Sequence, residues 1–413
     1  MTRAGNKRDL WFLIGLYTML IRHNILVIDK AVYLLGAFIC LFYIWGADKN
    51  KISKEYRRWV FTYVGFFLLS IIWSIKIKTS VFVFVIHLLP IFALSFATVK
   101  YINSYERLKN VLVAIFVCSL VMLCYLALNI DELLLGVRLG SSLNDPDDED
   151  KLWNANVIGM TLTFAIFAGW FAFINGTTNV WKKIFYIFSA VLMIIAILLT
   201  GSRKTLIMLI IPFCYYLYKK SKKHFLITSI VLTLFGLLAY YLVMNVEMFY
   251  STIGNRVEEM IFILSGDATG KVDDSRLYLT QYGLEWWTDN PILGIGINCF
   301  RVLSNETQMF AGKNFYAHNN YVELLVDVGI IGTLLYYTGH FYLFKESIKI
   351  KTAAASGVFI FVILILILDV FYVSYYDLNN QILMAILFAI IKLEKKELYL
   401  KNENSRYHKI GQH

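Results

Sequence analysis

Long apolar runs dominate the chain and constrain its fold more than any other feature. A transmembrane helix needs about 20 mostly apolar residues, within a range of about 17–25. Twelve runs approach this length, which predicts an all-α polytopic membrane protein, because lipid tolerates only segments whose backbone groups are paired. The predicted spans are 10–28, 31–46, 59–75, 80–99, 110–130, 153–175, 181–200, 203–219, 224–246, 319–343, 356–373 and 378–392.

Composition agrees with a membrane protein. The chain is 58% hydrophobic and 16% charged, with a mean hydropathy of +0.61, whereas soluble chains are about 25% charged. The net charge of +10 falls in short clusters between apolar runs. This is the pattern of membrane topology, so we expect no nucleic-acid partner.

The distribution of Lys and Arg predicts the orientation. If the N-terminus is inside, the inside connections carry most of the basic residues, so both termini are predicted to be cytoplasmic. The basic N-terminus leads into an uncleaved first span. The predicted domains are nine transmembrane helices in 1–246, a large extracytoplasmic loop in 247–318, three further spans in 319–392, and a basic cytoplasmic tail in 393–413.

The loop 247–318 is too polar to lie in lipid, yet it is rich in aromatic residues and glycines. Its patterning predicts short amphipathic helices over 251–265 and 275–287, and Asn290-Pro291 ends the second. We expect the second helix to lie along the membrane interface, where Trp and Tyr are enriched. Gly294-Ile-Gly296 lacks the third glycine and the strand–helix context of a dinucleotide-binding loop.

Two cations stand at the outer entrance of the eighth span. Arg203 and Lys204 follow Ser202, and a helix start with a serine cap offers unpaired N–H groups and a positive dipole end, which suits phosphate. The alternative is a pair of snorkelling cations. Arg276 opens the helix over 275–287, and its alternative role is a surface ion pair with neighbouring aspartates.

A histidine precedes the tenth span. His318 is followed by Asn319, a predicted helix cap. Imidazole titrates near neutral pH, so His318 can accept a proton from a hydroxyl or donate one to a phosphate. The alternative is a histidine that merely lies at the interface.

Four further charged residues are candidates for supporting roles. Glu323 and Asp327 are spaced i, i+4, so they share a helix face, and we expect them to pair with Lys or Arg from a neighbouring span. Asp369 lies deep in the eleventh span without a predicted partner, and Arg301 is a further cation of the loop. No metal-binding motif is apparent, so we expect neither a metal nor another cofactor.

Three sequence motifs occur in order along residues 200–332. They are Gly201-Ser202-Arg203, then Ser275-Arg276 followed by Trp286, Asn290-Pro291 and Gly294-Ile-Gly296, and finally His318-Asn319 with Gly329-Ile-Ile-Gly332 nine residues later. Together with twelve spans and one large outer loop, these motifs resemble the O-antigen ligase and O-antigen polymerase superfamily.

The resemblance implies a GT-C-like membrane glycosyltransferase. Its donor is a glycan on undecaprenyl pyrophosphate, which is transferred to a hydroxyl at the outer face of the bacterial cytoplasmic membrane, with inversion and without a metal. The implied catalytic residues are His318, Arg276 and Arg203. The implied pyrophosphate-binding residues are Arg203, Lys204, Arg276, Ser202 and Asn319, with Glu323, Asp327, Arg301 and Asp369 in support.

Three functions remain open after the resemblance. A polymerase joins repeat units of a capsule, O-antigen or exopolysaccharide, and a ligase transfers finished polymer to lipid A-core. The abundance of Lys, Ile, Asn and Tyr favours a bacterium without an outer membrane, and hence a polymerase, with a chain-length regulator and a flippase as possible partners. A polysaccharide flippase or transporter is the alternative from another class, but its spans do not require the long loop.

Overall fold

The computed structural model describes residues 3–24, 30–45, 52–128, 155–174, 179–200, 202–220, 275–310 and 314–410, together with residue 312 and isolated positions between 226 and 250. These residues fold into helices and short connections. The helices are α1 (Arg3–Asn24), α2 (Lys30–Trp45), α3 (Lys54–Ser70), α4 (Ile77–Val83), α5 (Leu89–Tyr101), α6 (Tyr105–Leu128), α7 (Ala155–Gly169), α8 (Val180–Leu199), α9 (Arg203–Lys220), α10 (Ser275–Asp289), α11 (Phe300–Glu306), α12 (Asn320–Lys349), α13 (Ala353–Leu368) and α14 (Leu378–Ile410).

The helices follow the predicted spans closely. Each predicted span contains a helix except the ninth, 224–246, most of which lies outside the described residues, as does the predicted helix over 251–265. Within the described ranges, 5 helical segments are long and apolar enough to cross a membrane. They are Ile77–Tyr101, Tyr105–Leu128, Asn156–Ile174, Val180–Leu199 and Asn320–Lys349. The all-α, polytopic prediction is confirmed for this part of the chain, and the number twelve stays a prediction.

The chain divides into two compact units. The first comprises Met1–Leu16, Leu34–Leu108 and Asp274–His413, and the second comprises Tyr17–Tyr33 and Lys109–Asp273. In the second unit, α7 packs against α8 and α9 around buried apolar side chains. A Cβ added to Gly159 would lie 2.5 Å from the Thr205 side chain, so a glycine here lets α7 and α9 approach closely.

Aromatic side chains form the centre of the first unit, where α12 packs against α3, α10 and α13. Trp59 of α3 stacks on Phe388 of α14 with ring centroids 5.2 Å apart, and its indole N–H donates to the carbonyl of Tyr336 at 2.7 Å. Large buried rings contribute most of the apolar burial that stabilises a core. This packing fixes α12, which carries part of the candidate site described below.

Helix α12 is broken at Gly329, where the backbone is non-helical with φ 62° and ψ −172°. The Asn320 side-chain amide donates to the Tyr337 hydroxyl at 2.9 Å, and the rings of Tyr321 and Tyr337 stack at 4.9 Å. In an unbroken helix these residues would be about 25 Å apart along the axis, at a rise of about 1.5 Å per residue. The segment 320–328 therefore folds back along 330–349, so the helix that occupies the predicted span 319–343 is broken and not continuous.

The loop between α10 and α11 pairs the backbone groups that the break leaves open. A helix end leaves unpaired carbonyls, and a helix start leaves unpaired N–H groups. Ile295 and Gly296 donate their N–H groups to the carbonyls of Val326 and Asp327, at 3.0 and 2.8 Å. The N–H groups of Ile330 and Ile331 in turn donate to the carbonyls of Pro291 and Ile292. The two glycine motifs of the sequence thus meet as one structural element.

Glycine is required where the two segments touch. Gly294 and Gly329 both have positive φ, 67° and 62°. A Cβ at Gly294 would lie 2.5 Å from the nitrogen of Gly329, and a Cβ at Gly329 would lie 2.3 Å from the carbonyl oxygen of Ile292. These neighbours are backbone atoms, so a side chain at either position forces the two segments apart.

We therefore expect Gly329→Ala to destabilise the first unit. The backbone at Gly329, with φ 62° and ψ −172°, lies in a region essentially restricted to glycine, and such strain costs another residue about 1–3 kcal/mol. The clash with Ile292 adds to this cost. Thermal unfolding of the protein in detergent should show a clearly lower midpoint. Gly357→Ala in α13 is the matched control, because a Cβ there meets nothing within 4 Å. An unchanged midpoint for Gly329→Ala would contradict the role of the break.

Candidate functional site

Arg301 lies between two tyrosines on the first turn of α11. Its guanidinium carbon is 5.3 Å from the ring centroid of Tyr316 and 5.6 Å from that of Tyr376, and its Nη2 donates to the Tyr376 hydroxyl at 2.7 Å. Such cation–π contacts hold a guanidinium in a fixed orientation. Burial lowers the pKa of Arg301, but the nearby Tyr376 and Glu323 outweigh burial and raise it, so the group stays charged.

Arg301 and the neighbouring Glu323 each have a buried polar atom that makes no hydrogen bond within the described part of the chain. The Nε of Arg301 is buried without a hydrogen-bond partner among the described residues. Glu323 is fully buried, and its Oε2 accepts the N–H of Ala317 at 2.6 Å, while its Oε1 is buried with no partner in the same part of the chain. Buried polar atoms in proteins are nearly always paired. An open donor and an open acceptor on two side chains that interact electrostatically therefore indicate a place for a ligand or water.

His318 precedes α12 and has a constrained backbone conformation. Its φ of 52° is in the left-handed region, which non-glycine residues seldom adopt and which is found at functional sites. The imidazole and the Tyr316 ring have centroids 4.0 Å apart. Because Tyr316 also contacts Arg301, the histidine and the arginine share one aromatic neighbour.

Arg276 is the first exposed cation of α10 and acts on the same tyrosine. Burial raises the pKa of the Tyr316 hydroxyl, and the positive charges of Arg276 and Arg301 partly offset that rise. The predicted helix 275–287 is confirmed as α10, which ends at Asp289 just before Pro291. Leu279 and Gly283 form its buried face against Phe300 and Val322.

Asn319 and Asn320 fix the start of α12. The Asn319 side chain accepts the N–H groups of Tyr321 and Val322 at 3.0 and 3.2 Å, which confirms the predicted cap. Asn320 is fully buried, accepts the N–H groups of Ser374 and Tyr375, and donates to Asp369.

Asp369 lies just beyond the end of α13 and is fully buried. The Tyr337 hydroxyl donates to its Oδ2 at 2.7 Å. The sequence predicted no partner for Asp369, and the structure gives it two, the Tyr337 hydroxyl and the Asn320 side-chain amide. Because Asn320 and Tyr337 lie on opposite sides of the break, Asp369 stabilises the fold-back of segment 320–328.

Among the residues that the structure describes, Asp327 pairs with no cation of a neighbouring span, unlike the prediction. Its carboxylate accepts the N–H of Asn298 at 2.7 Å and that of Phe300 at 2.8 Å, and the Tyr375 hydroxyl donates to it at 3.3 Å. Glu323 has a cationic neighbour, but this is Arg301 of the loop. Both acids are buried on one face, as their spacing predicted.

The predicted phosphate-binding residues of the second unit lie at the start of α9, which begins at Arg203. The Ser202 hydroxyl is buried and donates to Asn156 of α7 at 2.7 Å, so this hydroxyl ties two helices together. Lys204 is also buried, with 8% of its surface exposed. The Arg203 side chain is outside the described part. Phosphate binding by these three residues stays a prediction.

The residues Arg276, Arg301, Tyr316, His318, Glu323 and Tyr376 form the cluster that we call the arginine–histidine cluster. It combines the fixed positive charge of Arg301 with the exposed positive charge of Arg276, an imidazole and a buried carboxylate. Such a set binds an anion through its arginines and moves a proton through the imidazole or the carboxylate. Among the described residues, no three His, Cys, Asp or Glu side chains come together as metal ligands would.

Part of the chain that includes most of the cluster matches a known protein family. Residues 188–337 match the family model described as O-antigen ligase. Over this stretch the chain is similar to the O-antigen ligase and polymerase superfamily. This match and the apolar helices indicate a multi-pass membrane protein. No curated protein matches the chain.

Sequence reasoning gave Arg301 too little weight and missed Tyr316 and Tyr376. Arg301 follows Phe300 in a stretch with no obvious pattern, and Tyr376 is 75 residues away from it. Only the fold brings the two together. A usable signal was the position of Tyr316, two residues before His318 in a loop that the motifs had already selected.

Proposed function

We propose that the chain is a metal-independent, inverting glycosyltransferase that polymerises undecaprenyl-pyrophosphate-linked repeat units at the outer face of the cytoplasmic membrane. The observation that carries this proposal is the guanidinium of Arg301, which is held between two tyrosines with an open Nε and shares Tyr316 with His318. An oriented guanidinium with free donors suits the two oxygens of a phosphate, and an adjacent imidazole suits a hydroxyl.

The reaction is a single displacement. The oxygen of an acceptor hydroxyl forms a bond to the anomeric carbon of the donor sugar, and the bond from that carbon to the pyrophosphate oxygen breaks. The electron pair leaves with the pyrophosphate, and the acceptor proton passes to His318. Attack opposite the leaving group inverts the anomeric configuration.

The arginines stabilise the charge that develops on the leaving group. Negative charge grows on the bridging oxygen as the bond breaks, and preorganised donors aimed at that oxygen lower the barrier. Arg301 is fixed by stacking and by the Tyr376 hydroxyl, so little reorganisation is needed during the reaction. Arg276, exposed at the start of α10, adds a second positive charge.

A ligase is the second candidate, because the family model that matches residues 188–337 is described as O-antigen ligase. The two reactions share the donor and the displacement chemistry, and they differ in the acceptor. A polymerase takes a lipid-linked repeat unit as its acceptor, and a ligase takes lipid A-core. The composition of the chain favours the polymerase.

The direct test is transfer by the purified protein. The protein in detergent is supplied with a lipid-pyrophosphate-linked repeat unit, with and without EDTA, and the products are resolved on a gel beside Arg276→Ala and His318→Ala. We expect a ladder with the wild type that EDTA leaves unchanged and that both substitutions abolish.

Other outcomes reassign the protein. Transfer that occurs only after lipid A-core is added would identify a ligase. A ladder that survives both substitutions would reject the arginine–histidine cluster as the site. No transfer to either acceptor, combined with repeat units that accumulate on the inner face of cells lacking the protein, would identify a flippase.

A further inference from the structure

We infer that Asp327 is a positioning residue that sets the orientation of Arg301 through two separate contacts. The inference rests on the proposed function, since it concerns how the pyrophosphate-binding guanidinium is held. Asp327 is fully buried in segment 320–328 and lies outside the arginine–histidine cluster. Its carboxylate bonds to residues that directly adjoin Arg301 and Tyr376 in sequence.

The first contact fixes the start of α11. The helix begins at Phe300, and its N-cap residue, Cys299, makes no side-chain cap hydrogen bond. Asp327 of α12 caps α11 instead. Its Oδ1 accepts the N–H of Phe300, and its Oδ2 accepts that of Asn298. A carboxylate at a helix N-terminus pairs open N–H groups and complements the helix dipole. Arg301 is the next residue of this helix.

The second contact fixes the tyrosine that binds the guanidinium. The Tyr375 hydroxyl donates to Oδ2 of Asp327 at 3.3 Å, and the rings of Tyr375 and Tyr376 pack edge to face at 4.8 Å. Tyr376 accepts the hydrogen bond from Arg301. One carboxylate therefore locates both the backbone that carries the guanidinium and the hydroxyl that orients it.

An acid is needed because three donors converge on one buried side chain. Asparagine has the same shape, but one of its two terminal atoms is a donor. In Asp327→Asn, the amide oxygen can accept from one N–H group, and the amide nitrogen then faces another donor. We therefore expect α11 to shift while the fold persists.

A double-mutant cycle separates positioning from general damage. Misplacement of a group by about 1 Å can cost about 10²-fold in rate, so we expect Asp327→Asn to lower kcat/KM for the donor by about 10²-fold in the wild type. In the background of Arg57→Lys, an exposed position outside the arginine–histidine cluster, the same fold-loss should recur. In the Arg301→Ala background the loss should nearly vanish, because the group that Asp327 positions is already gone.

Each outcome of the cycle decides the inference. An equal loss in all three backgrounds would show general damage and overturn it, as would full activity of Asp327→Asn. If Asp327→Asn does not fold, Tyr375→Phe replaces it in the same cycle, because this change removes one hydroxyl donor and keeps the ring. The Tyr375→Phe variant should show a smaller loss with the same dependence on Arg301.

Binding of undecaprenyl pyrophosphate distinguishes failure of this inference from failure of the proposed function. The dissociation constant is measured for the wild type and the same variants in detergent. A protein that binds this lipid in an Asp327- and Arg301-dependent manner but transfers no glycan would refute the glycosyltransferase and keep the positioning role. Transfer activity that does not depend on Asp327 would keep the glycosyltransferase and refute the positioning role.

Discussion

Replacing Arg301 by lysine is expected to lower kcat/KM for the lipid-pyrophosphate donor by about 10²–10³-fold, the usual effect of losing one preorganised donor. Lysine keeps the charge, but it loses the planar fork and the stacking on Tyr316 and Tyr376. The ammonium is free to rotate away from the leaving group. Arg301→Ala, which also removes the charge, should be less active still. Steady-state transfer with a defined donor measures both effects.

The matched control is Arg57→Lys in α3, where the arginine is exposed and lies outside the arginine–histidine cluster. Its activity should equal that of the wild type. Thermal unfolding of Arg301→Lys should remain close to that of the wild type, because the apolar core around Trp59 is untouched. Wild-type activity of Arg301→Lys would mean that any cation at this position is sufficient, and the argument from orientation would be wrong.

Hydropathy predicted the helices because the bilayer imposes a length and a composition on each span. It did not predict the break at Gly329, because the Val and Leu residues of segment 320–328 continue the apolar run even though Glu323 and Asp327 lie among them. The reversal depends on backbone pairing with Pro291, Ile292, Ile295 and Gly296. The only sequence signal of this pairing between distant segments is a few glycines, which hydropathy does not detect.

The site was predictable to the extent that its residues lay in motifs. The motifs singled out His318 and Arg276, whose role in a site stays a prediction, and Asn319 caps α12 as expected. The role of Asp327 was not predictable, because its partners are backbone N–H groups, which every residue of the loop offers alike. The fold decides which N–H group a carboxylate binds, so the identity of the residues does not predict that hydrogen bond.

His318→Asn is expected to reduce kcat by about 10²–10⁴-fold, the range for loss of a general acid or base. Asparagine is chosen because it tolerates the left-handed backbone of this position, where φ is 52°. The variant should therefore unfold at the same temperature as the wild type, and any loss of activity reflects the missing imidazole. Donor binding should change little, since the arginines remain.

His318→Ala distinguishes the effect of the strained backbone on stability from the effect of the imidazole on activity. Alanine in the left-handed region costs about 1–2 kcal/mol, so this variant should lose the same activity and also unfold at a lower temperature. If His318→Asn keeps near wild-type activity, the imidazole is not the proton acceptor. The role would then fall to Glu323, whose buried Oε1 has no hydrogen-bond partner in the described part of the chain. In that case Glu323→Gln should be inactive, because an amide of the same shape accepts no proton from the acceptor hydroxyl.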